Sequence, residues 1–251
     1  MPVTLVVLAV GYGAAAGLLV PRAAYRLAVE PGETWRERCP GGHPFAGAWR
    51  GWVGPARCRV CGPYGPGAVG TVLVTASACG MLAAATGPRP ELAAWLAVAP
   101  VAVLLAVVDW RVSRLPDVLT LPLAGGAVLL LGAAGWADAA AGTWGGALLG
   151  GLALSGFYFV LYLVNPAGMG LGDVKLAIGL GVTLGWYGWA ILITGAFAGL
   201  LFGALYGCGV LLRRARAVDR RGDGLKQAMP YGPFMIIGAL LGVLLGGAAA
   251  P

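Results

Sequence analysis

Charged residues are scarce in this 251-residue chain, where Asp, Glu, Lys and Arg together make up 11% and hydrophobic residues make up 59%. Soluble domains carry about a quarter charged residues. So little polar surface cannot cover a water-soluble fold, and the long apolar runs instead predict an integral membrane protein. The 44 glycines agree with this class, because small side chains let membrane helices pack closely.

Two further features are missing from the sequence. No stretch interleaves basic and aromatic residues, so the net charge of +7 does not indicate nucleic-acid binding. The first apolar run, Val3–Val20, lacks a basic segment before it and a short apolar core followed by a small-residue cleavage site. We therefore expect a retained helix here rather than a signal peptide.

The apolar runs predict an all-α, polytopic fold of about eight transmembrane helices. The run Val174–Leu212 would be about 58 Å long as one helix, roughly twice the thickness of the hydrocarbon layer. Gly185–Gly188, which contains two aromatic residues suited to a membrane interface, is the expected break between a short sixth and a full seventh helix. The other predicted spans are Val3–Val20, Ala68–Thr86, Glu91–Val108, Val118–Trp136, Trp144–Val164 and Pro233–Ala249.

Cations are almost absent from one of the two alternate sets of loops, which holds only Arg89. The other sixteen fall on one side of an eight-helix bundle, and the positive-inside rule makes that side cytoplasmic, with both termini outside. The chain then divides into a first transmembrane helix (1–20), a cytoplasmic segment with cysteines and a histidine (21–67), and a seven-helix membrane domain (68–251). The last basic loop contains Arg213, Arg214, Arg216, Arg220, Arg221 and Lys226.

Two acidic residues stand at the predicted cytoplasmic ends of helices. Asp109 follows the apolar run Val101–Val108, and Asp173 follows Asn165–Gly172, which has glycine at every second position from 168 to 172. Glycine allows a tight turn and the close approach of another chain. For a single aspartate, an interfacial helix-end role is the alternative. Together, the two predict an aspartyl hydrolase, in which an ionised carboxylate activates water and a protonated carboxyl donates to the scissile carbonyl.

The two helix ends suggest a division of these roles. Asp173 at a helix N-terminus would have its anion stabilised by the helix dipole, whereas Asp109 at a helix C-terminus would be pushed towards the protonated form. The titrations of two neighbouring carboxyl groups are coupled, so this division is a hypothesis.

A cysteine cluster lies in the first basic segment. Cys58 and Cys61 form a CxxC pair, and Cys39 and His43 supply a third thiol and the chain's single imidazole. Three thiolates and one imidazole from two short turns are typical of a structural zinc site, with free cysteines as the alternative. A disulfide is not expected in the reducing cytoplasm. Cys79 and Cys208 lie in apolar runs and are interpreted as small packing residues.

Three motifs, in the order in which that family has them, resemble those of the prepilin peptidases, the type IV leader peptidases. The segment Asp109–Pro122, DWRVSRLPDVLTLP, resembles their first motif, in which an aspartate and a short basic stretch precede Leu-Pro-Asp-x-Leu-Thr. Gly168–Leu176 resembles their Gly-x-Gly-Asp motif followed by Val-Lys, and Met229–Phe234 is similar to the Pro-Phe-Gly-Pro-Phe element that opens their last helix.

The resemblance implies a membrane aspartyl endopeptidase that removes basic leader peptides from pilin or pseudopilin precursors at the cytoplasmic membrane face, beside the lipid bilayer. It makes Asp109 and Asp173 the catalytic pair. Gly170 and Gly172 belong to its second motif as supporting residues. Asp117 would be another supporting residue, or would cap the following helix. Lys175 would contact anionic headgroups, shape the field of the site or anchor the helix on the positive side.

The resemblance also bears on cofactors. Many members of the family carry two cysteine pairs in this loop, and here His43 stands in place of the fourth cysteine. N-methylation of the new N-terminus, with S-adenosylmethionine as cofactor, is a second activity associated with the family. The region Gly17–Leu27 matches the family's first-helix pattern only loosely, so the resemblance supports methylation less than it supports cleavage.

Two other functions remain open at this point. A presenilin-like intramembrane protease shares the GxGD motif, but it should have Tyr-Asp at the first aspartate and a late Pro-Ala-Leu element. Here Val108 precedes Asp109, and the late element is Pro-Tyr-Gly-Pro. The other alternative is a non-enzymatic transporter or scaffold in which the aspartates bind ions.

Overall fold

The computed structural model describes residues 3–30, 32–45, 48–166, 168–217 and 230–250. Arg220, Arg221, Lys226 and Met229, which the sequence analysis used, lie outside these residues. The described part contains one two-stranded sheet, β1 (Arg57–Cys58) and β2 (Gly62–Pro63). Its helices are α1 (Val3–Leu27), α2 (Ala48–Gly51), α3 (Ala68–Thr86), α4 (Leu92–Val112), α5 (Asp117–Ala134), α6 (Trp144–Val164), α7 (Leu171–Gly185), α8 (Trp189–Ala217) and α9 (Gly232–Ala249).

The expected all-α, polytopic class is confirmed. Among the described residues, seven helices are long and apolar enough to cross a membrane: α1, α3, α4, α5, α6, α8 and α9. The short sixth helix of the sequence analysis is α7, with 15 residues. The predicted break is also found, because α7 ends at Gly185 and α8 begins at Trp189.

Several helix limits differ from the expected ones. Helix α1 continues past Val20 and through Pro21 to Leu27, and the backbone N–H of Arg22 donates to the carbonyl of Gly54. Helix α4 extends past Val108 to Val112. Apolar runs mark where a helix meets lipid, whereas these last turns pack against other protein segments and continue beyond the apolar part.

Glycines bring α6 and α7 into backbone contact. A Cβ atom on Gly150 would lie 2.6 Å from the carbonyl oxygen of Gly181, and one on Gly185 would lie 2.8 Å from the Cα atom of Gly150. Such spacing lets membrane helices approach closely and gain dispersion energy along their length. The short α7, which begins just before Asp173, is therefore held against a full-length neighbour.

The two ends of the bundle carry different polar links. At one end the Arg89 guanidinium donates to the carbonyl oxygens of Gly247 (3.1 Å) and Ala250 (2.9 Å), and so provides hydrogen-bond partners for the C-terminal carbonyls of α9. At the other end the Arg114 guanidinium donates to the carbonyl of Glu30 at 2.9 Å, which joins the α4–α5 loop to the chain after α1. Asp109, in the last turn of α4, belongs to this second end.

The α6–α7 contact can be tested with a valine at Gly181. Its Cβ would collide with the carbonyl of Gly150 and lie 2.9 Å from the Cα atom of Gly151. Because backbone cannot move aside as a side chain can, we expect Gly181→Val to cost about 1–3 kcal/mol and to lower the melting temperature in detergent. The matched control is Gly156→Val on α6, where an added Cβ meets nothing within 4 Å. Equal melting temperatures for the two variants would contradict the contact.

Candidate active site and candidate metal centre

Asp109 is buried in the last turn of α4, with 3% of its surface exposed. Its Oδ2 atom accepts a hydrogen bond of 2.9 Å from the backbone N–H of Gly232, the first residue of α9. The first N–H groups of a helix have no partner within it, so the carboxyl group satisfies one of them. A Cβ on Gly232 would lie 2.9 Å from the same oxygen, so a larger residue there would force the carboxyl group to shift.

This contact changes the expected electrostatics of Asp109. The sequence analysis considered only the C-terminal end of its own helix. The structure also places its carboxyl group at the N-terminus of α9, where the helix dipole favours an anion. Both aspartates therefore have a helix N-terminus beside them, and helix ends alone do not distinguish the acid from the base.

Asp173 lies in the first turn of α7 and is 8% exposed. The backbone N–H of Gly170, the residue before the helix, donates to its Oδ2 atom at 3.1 Å. We expected Asp173 to open the helix, but the helix begins two residues earlier, at Leu171. The Asp173 side chain therefore accepts its hydrogen bond from the N-cap residue Gly170. The glycine-spaced segment thus provides a direct backbone partner for the carboxylate.

The two carboxyl groups lie close enough for the charge of Asp173 to act on Asp109. Leu115, 6% exposed, lies between the starts of α7 and α9, whose glycines flank it. A Cβ on Gly172 would lie 2.9 Å from the Cβ atom of Leu115, and one on Gly232 would lie 3.4 Å from its Cδ2 atom. Leu115 therefore packs against both glycines and sets the separation of α7 from α9.

Two tyrosines add a polar edge to this site. The hydroxyl groups of Tyr158 on α6 and Tyr231 before α9 lie 3.2 Å apart, and the charge of Asp173 reaches both. Sequence reasoning missed Leu115, Tyr158 and Gly232 as site residues. Leu115 and Gly232 stand inside the quoted motifs, which was the available signal, whereas Tyr158 stands in an apolar run without a motif.

Asp117 and Lys175 form an ion pair at 2.7 Å. Their side chains are 57% and 35% exposed, and they join the first turns of α5 and α7. The capping alternative for Asp117 is wrong, because Pro116 holds the N-cap position and Asp117 is the first residue of the helix. Lys175, expected to face lipid headgroups or anchor the helix, has this carboxylate as a partner.

The four expected metal ligands come together. The sulfur atoms of Cys39, Cys58 and Cys61 and a ring nitrogen of His43 all lie within 4.8 Å of one another. The Nδ1 atom of His43 is 3.5 Å from the sulfur of Cys39 and 3.2 Å from that of Cys61, and these two sulfurs are 3.7 Å apart. Tetrahedral zinc with Zn–S bonds of ~2.3 Å and Zn–N bonds of ~2.0 Å separates its ligand atoms by ~3.5–3.8 Å. The cluster has dimensions that fit a metal ion.

Two tight turns present these ligands. One turn lies between the bridged residues Arg38 and Pro44. The other lies between β1 and β2, where Cys58 pairs with Gly62. Gly42 and Gly62 adopt positive φ angles of 81° and 80°. A Cβ on Gly41 would collide with the sulfur of Cys61. Backbone N–H groups of Cys61 and Val60 lower the pKa of Cys58 to about 7, which favours the thiolate that metals bind.

Comparison with known proteins supplies a family for the aspartate region. Residues 96–208 match the sequence model described as "Type IV leader peptidase family". This part of the chain is similar to that family. The expected resemblance is therefore confirmed over a region that contains both aspartates, Asp117 and Lys175. Residues 96–208, called the leader-peptidase region below, do not include the Cys/His cluster or Gly232.

Three curated relatives of this chain are named "Prepilin leader peptidase/N-methyltransferase". The proteins of Aeromonas salmonicida and Aeromonas hydrophila are 33% and 34% identical to this chain over 150 residues, which is 58% of this chain and 47% of each relative. The protein of Pseudomonas putida is 38% identical over 102 residues, which is 40% of this chain and 32% of the relative. The chain thus aligns with about half the length of the curated relatives. No solved structure matches it significantly.

Metal content tests the Cys/His cluster. We expect about one divalent metal ion per chain in the purified protein, and its loss in Cys61→Ser, because that substitution removes one of four ligands. Gly41→Ala should also lower metal occupancy, since its methyl group would take the place of the Cys61 sulfur. Gly67→Ala is the control, because an added Cβ there meets nothing within 4 Å. Elemental analysis that finds metal unchanged in Cys61→Ser would exclude the site.

Proposed function

We propose that this chain is a membrane aspartyl endopeptidase that removes leader peptides from type IV prepilin or pseudopilin precursors. The observation that carries the proposal is the pair Asp109 and Asp173. Both are buried at one end of the bundle, each accepts a backbone N–H at the start of a helix, and both fall in the leader-peptidase region. The supporting residues are Asp117, Gly170, Gly172 and Lys175.

The proposed reaction is hydrolysis of one peptide bond with two carboxyl groups. One ionised carboxylate takes a proton from water, whose oxygen attacks the scissile carbonyl. The other carboxyl group, protonated, donates to the carbonyl oxygen. Collapse of the tetrahedral intermediate breaks the C–N bond. The leaving amine takes the proton that the first aspartate removed from water, and the intermediate's hydroxyl group returns a proton to the second aspartate. Burial favours sharing of one proton, because two adjacent anions away from water repel each other strongly.

The proposed orientation places this end of the bundle in the cytoplasm, with the protein in the inner membrane. The support is the asymmetry of the cations, since Arg89 alone belongs to the opposite set of loops. A precursor would keep its apolar helix in the bilayer while its leader reaches the aspartates from the cytoplasm. The division into residues 1–20, 21–67 and 68–251 is part of this proposal.

The proposed metal is zinc with a structural role. A site with four protein ligands is closed, and a closed tetrahedral site of cysteines and histidine is typical of structural zinc. Cys39, His43, Cys58 and Cys61 would hold the ion and fix the two turns to each other. The ion would therefore contribute to folding of the segment rather than to peptide hydrolysis.

N-methylation is a second proposed activity, supported by the second half of the name that the relatives bear. Its cofactor would be S-adenosylmethionine and its acceptor the amine that cleavage exposes. Transfer of a labelled methyl group to cleaved precursor, compared with uncleaved precursor, measures this activity independently of cleavage. A cleaved but unlabelled product would exclude methylation while leaving the peptidase proposal intact.

The central prediction concerns the two aspartates. In detergent or vesicles, the wild-type protein should cut a prepilin-type precursor, and Asp109→Asn and Asp173→Asn should each lower kcat by at least ~10³-fold, because an amide neither activates water nor donates a carboxyl proton. Mass spectrometry of the product identifies the cleaved bond. Asp138→Asn, in the exposed loop after α5, is the matched control and should keep wild-type activity.

Two outcomes would contradict this assignment. A precursor left uncut by well-folded wild-type protein would reject the peptidase. Retained cleavage in either Asn variant would remove that aspartate from the catalytic pair. Melting temperatures of all variants should accompany the assay, so that loss of the fold is distinguished from loss of chemistry.

Loss of the ion pair between Asp117 and Lys175 should lower activity less than loss of either buried aspartate, and by the same amount whichever partner is replaced. Asp117→Asn and Lys175→Gln should each lower kcat/KM by less than ~10-fold, because a half-exposed ion pair contributes only ~0.2–1 kcal/mol. The double variant should be no worse than the single variants, since the same interaction is lost in all three. A loss in Asp117→Asn as large as that of Asp109→Asn would instead place Asp117 among the catalytic residues.

A further inference from the structure

A deep apolar groove runs along the outside of the bundle between α3 on one side and α4 and α9 on the other. Its volume is about 920 Å³, and Leu180 and Thr183 of α7 form part of its floor. The groove is open to the side, where the surrounding medium would be lipid. Residues that line it, such as Leu73 and Ile237, are 61% and 46% exposed.

Small residues on both walls make the groove deep. Gly70 and Ser77 line it from α3, and Ala99, Ala102 and Ala106 line it from α4. These positions recur three, four or seven residues apart, so each set follows one face of its helix. Small residues at this spacing let the backbone of another membrane helix approach closely, and a flexible lipid chain has no need of that spacing.

The groove also has the length of a membrane helix segment. Its lining runs from Gly67, the N-cap residue of α3, to Met81 on that helix, which is about 21 Å at ~1.5 Å per residue. The hydrocarbon layer is ~30 Å thick, so the groove spans roughly two-thirds of it. An added helix could therefore bury several turns along this face.

One end of the groove reaches the candidate active site. Trp110 and Pro233 line that end, and they are the chain neighbours of Asp109 and Gly232, which share the 2.9 Å hydrogen bond. Leu180 of the floor lies on α7, two turns beyond Asp173. A helix lying in the groove would place its own end beside the two carboxyl groups.

We infer that this groove between α3, α4 and α9 is the docking site for the apolar transmembrane helix of the precursor. The inference rests on the proposed function, and it adds where the part of the substrate that is not cut is bound. A docked helix would hold the cleavage site next to the aspartates, so binding energy far from the reacting bond would convert cleavage into an effectively unimolecular step.

A substitution that fills the groove without disturbing the bundle tests the inference. An added Cβ at Gly70 meets nothing within 4 Å, so Gly70→Leu projects into the groove from an intact helix. The matched control is Gly156→Leu, at an exposed position of α6 where an added Cβ is equally free. We expect Gly70→Leu to raise KM for a full-length precursor by at least tenfold, with little change in kcat, and Gly156→Leu to match wild type.

Photocrosslinking gives a second readout that does not depend on turnover. With Asp173→Asn present to prevent cleavage, a photoreactive phenylalanine analogue replaces Leu73 in the groove or Phe157 on the exposed face of α6. We expect the Leu73 probe to capture the apolar helix of the precursor, as identified by peptide mass spectrometry, and the Phe157 probe not to.

The outcomes separate the groove from the peptidase. If wild type cuts the precursor while Gly70→Leu has an unchanged KM and the Leu73 probe captures only phospholipid, the groove is a lipid site and the inference is overturned, although the peptidase stands. Equal capture by both probes overturns it as well. If wild type cuts no precursor, the proposed function fails first, and capture at Leu73 still reports whether the groove binds an apolar helix.

Discussion

The hydrogen bond from the Gly232 backbone to the carboxyl group of Asp109 is the interaction on which the candidate site depends. It joins α4 to the start of α9, 123 residues later in the chain, and it is buried. Glycine favours it, because a Cβ at this position would lie 2.9 Å from the carboxyl oxygen and force it to shift. Leu115 packs against the same glycine and against Gly172, so the N-terminal end of α7 is positioned relative to the start of α9. The positions of both aspartates therefore follow from close backbone packing.

This packing explains how two carboxyl groups can be buried in a membrane bundle. Ionisable groups at that depth cost several kcal/mol unless they are hydrogen-bonded or reach water. Here each aspartate accepts a backbone N–H from a glycine, Gly232 or Gly170, at a helix start. Helix starts have spare N–H groups and a positive dipole end, so they stabilise an anion without adding another ionisable side chain. Lys175, the basic residue of the Gly168–Leu176 motif, donates to Asp117.

The sequence sufficed for the class of fold, the break at Gly185–Gly188 and the four members of the Cys/His cluster, because hydropathy, glycine spacing and ligand spacing are local signals. It was less accurate at helix ends, since Pro21 lies inside α1 and Asp173 inside α7. It could not predict the contact between Gly232 and Asp109 or the packing of Leu115 against Gly172 and Gly232. These contacts join parts of the chain that are far apart in sequence. Tyr158 illustrates the same limit, because an aromatic residue in an apolar run has no local mark of a polar partner.

The Cys/His segment lies outside the region that matches the leader peptidases, yet physical contacts tie it to the aspartates. Its aromatic residues Phe45 and Tyr64 pack on Tyr25 in the last turns of α1. The guanidinium of Arg114 donates to the carbonyl of Glu30 at 2.9 Å. The residue after Arg114 is Leu115, which packs between Gly172 and Gly232. A change in the chain after α1 would therefore act on the loop that separates α7 from α9. The Cys/His segment therefore reaches the neighbourhood of the aspartates through two adjacent residues, Arg114 and Leu115.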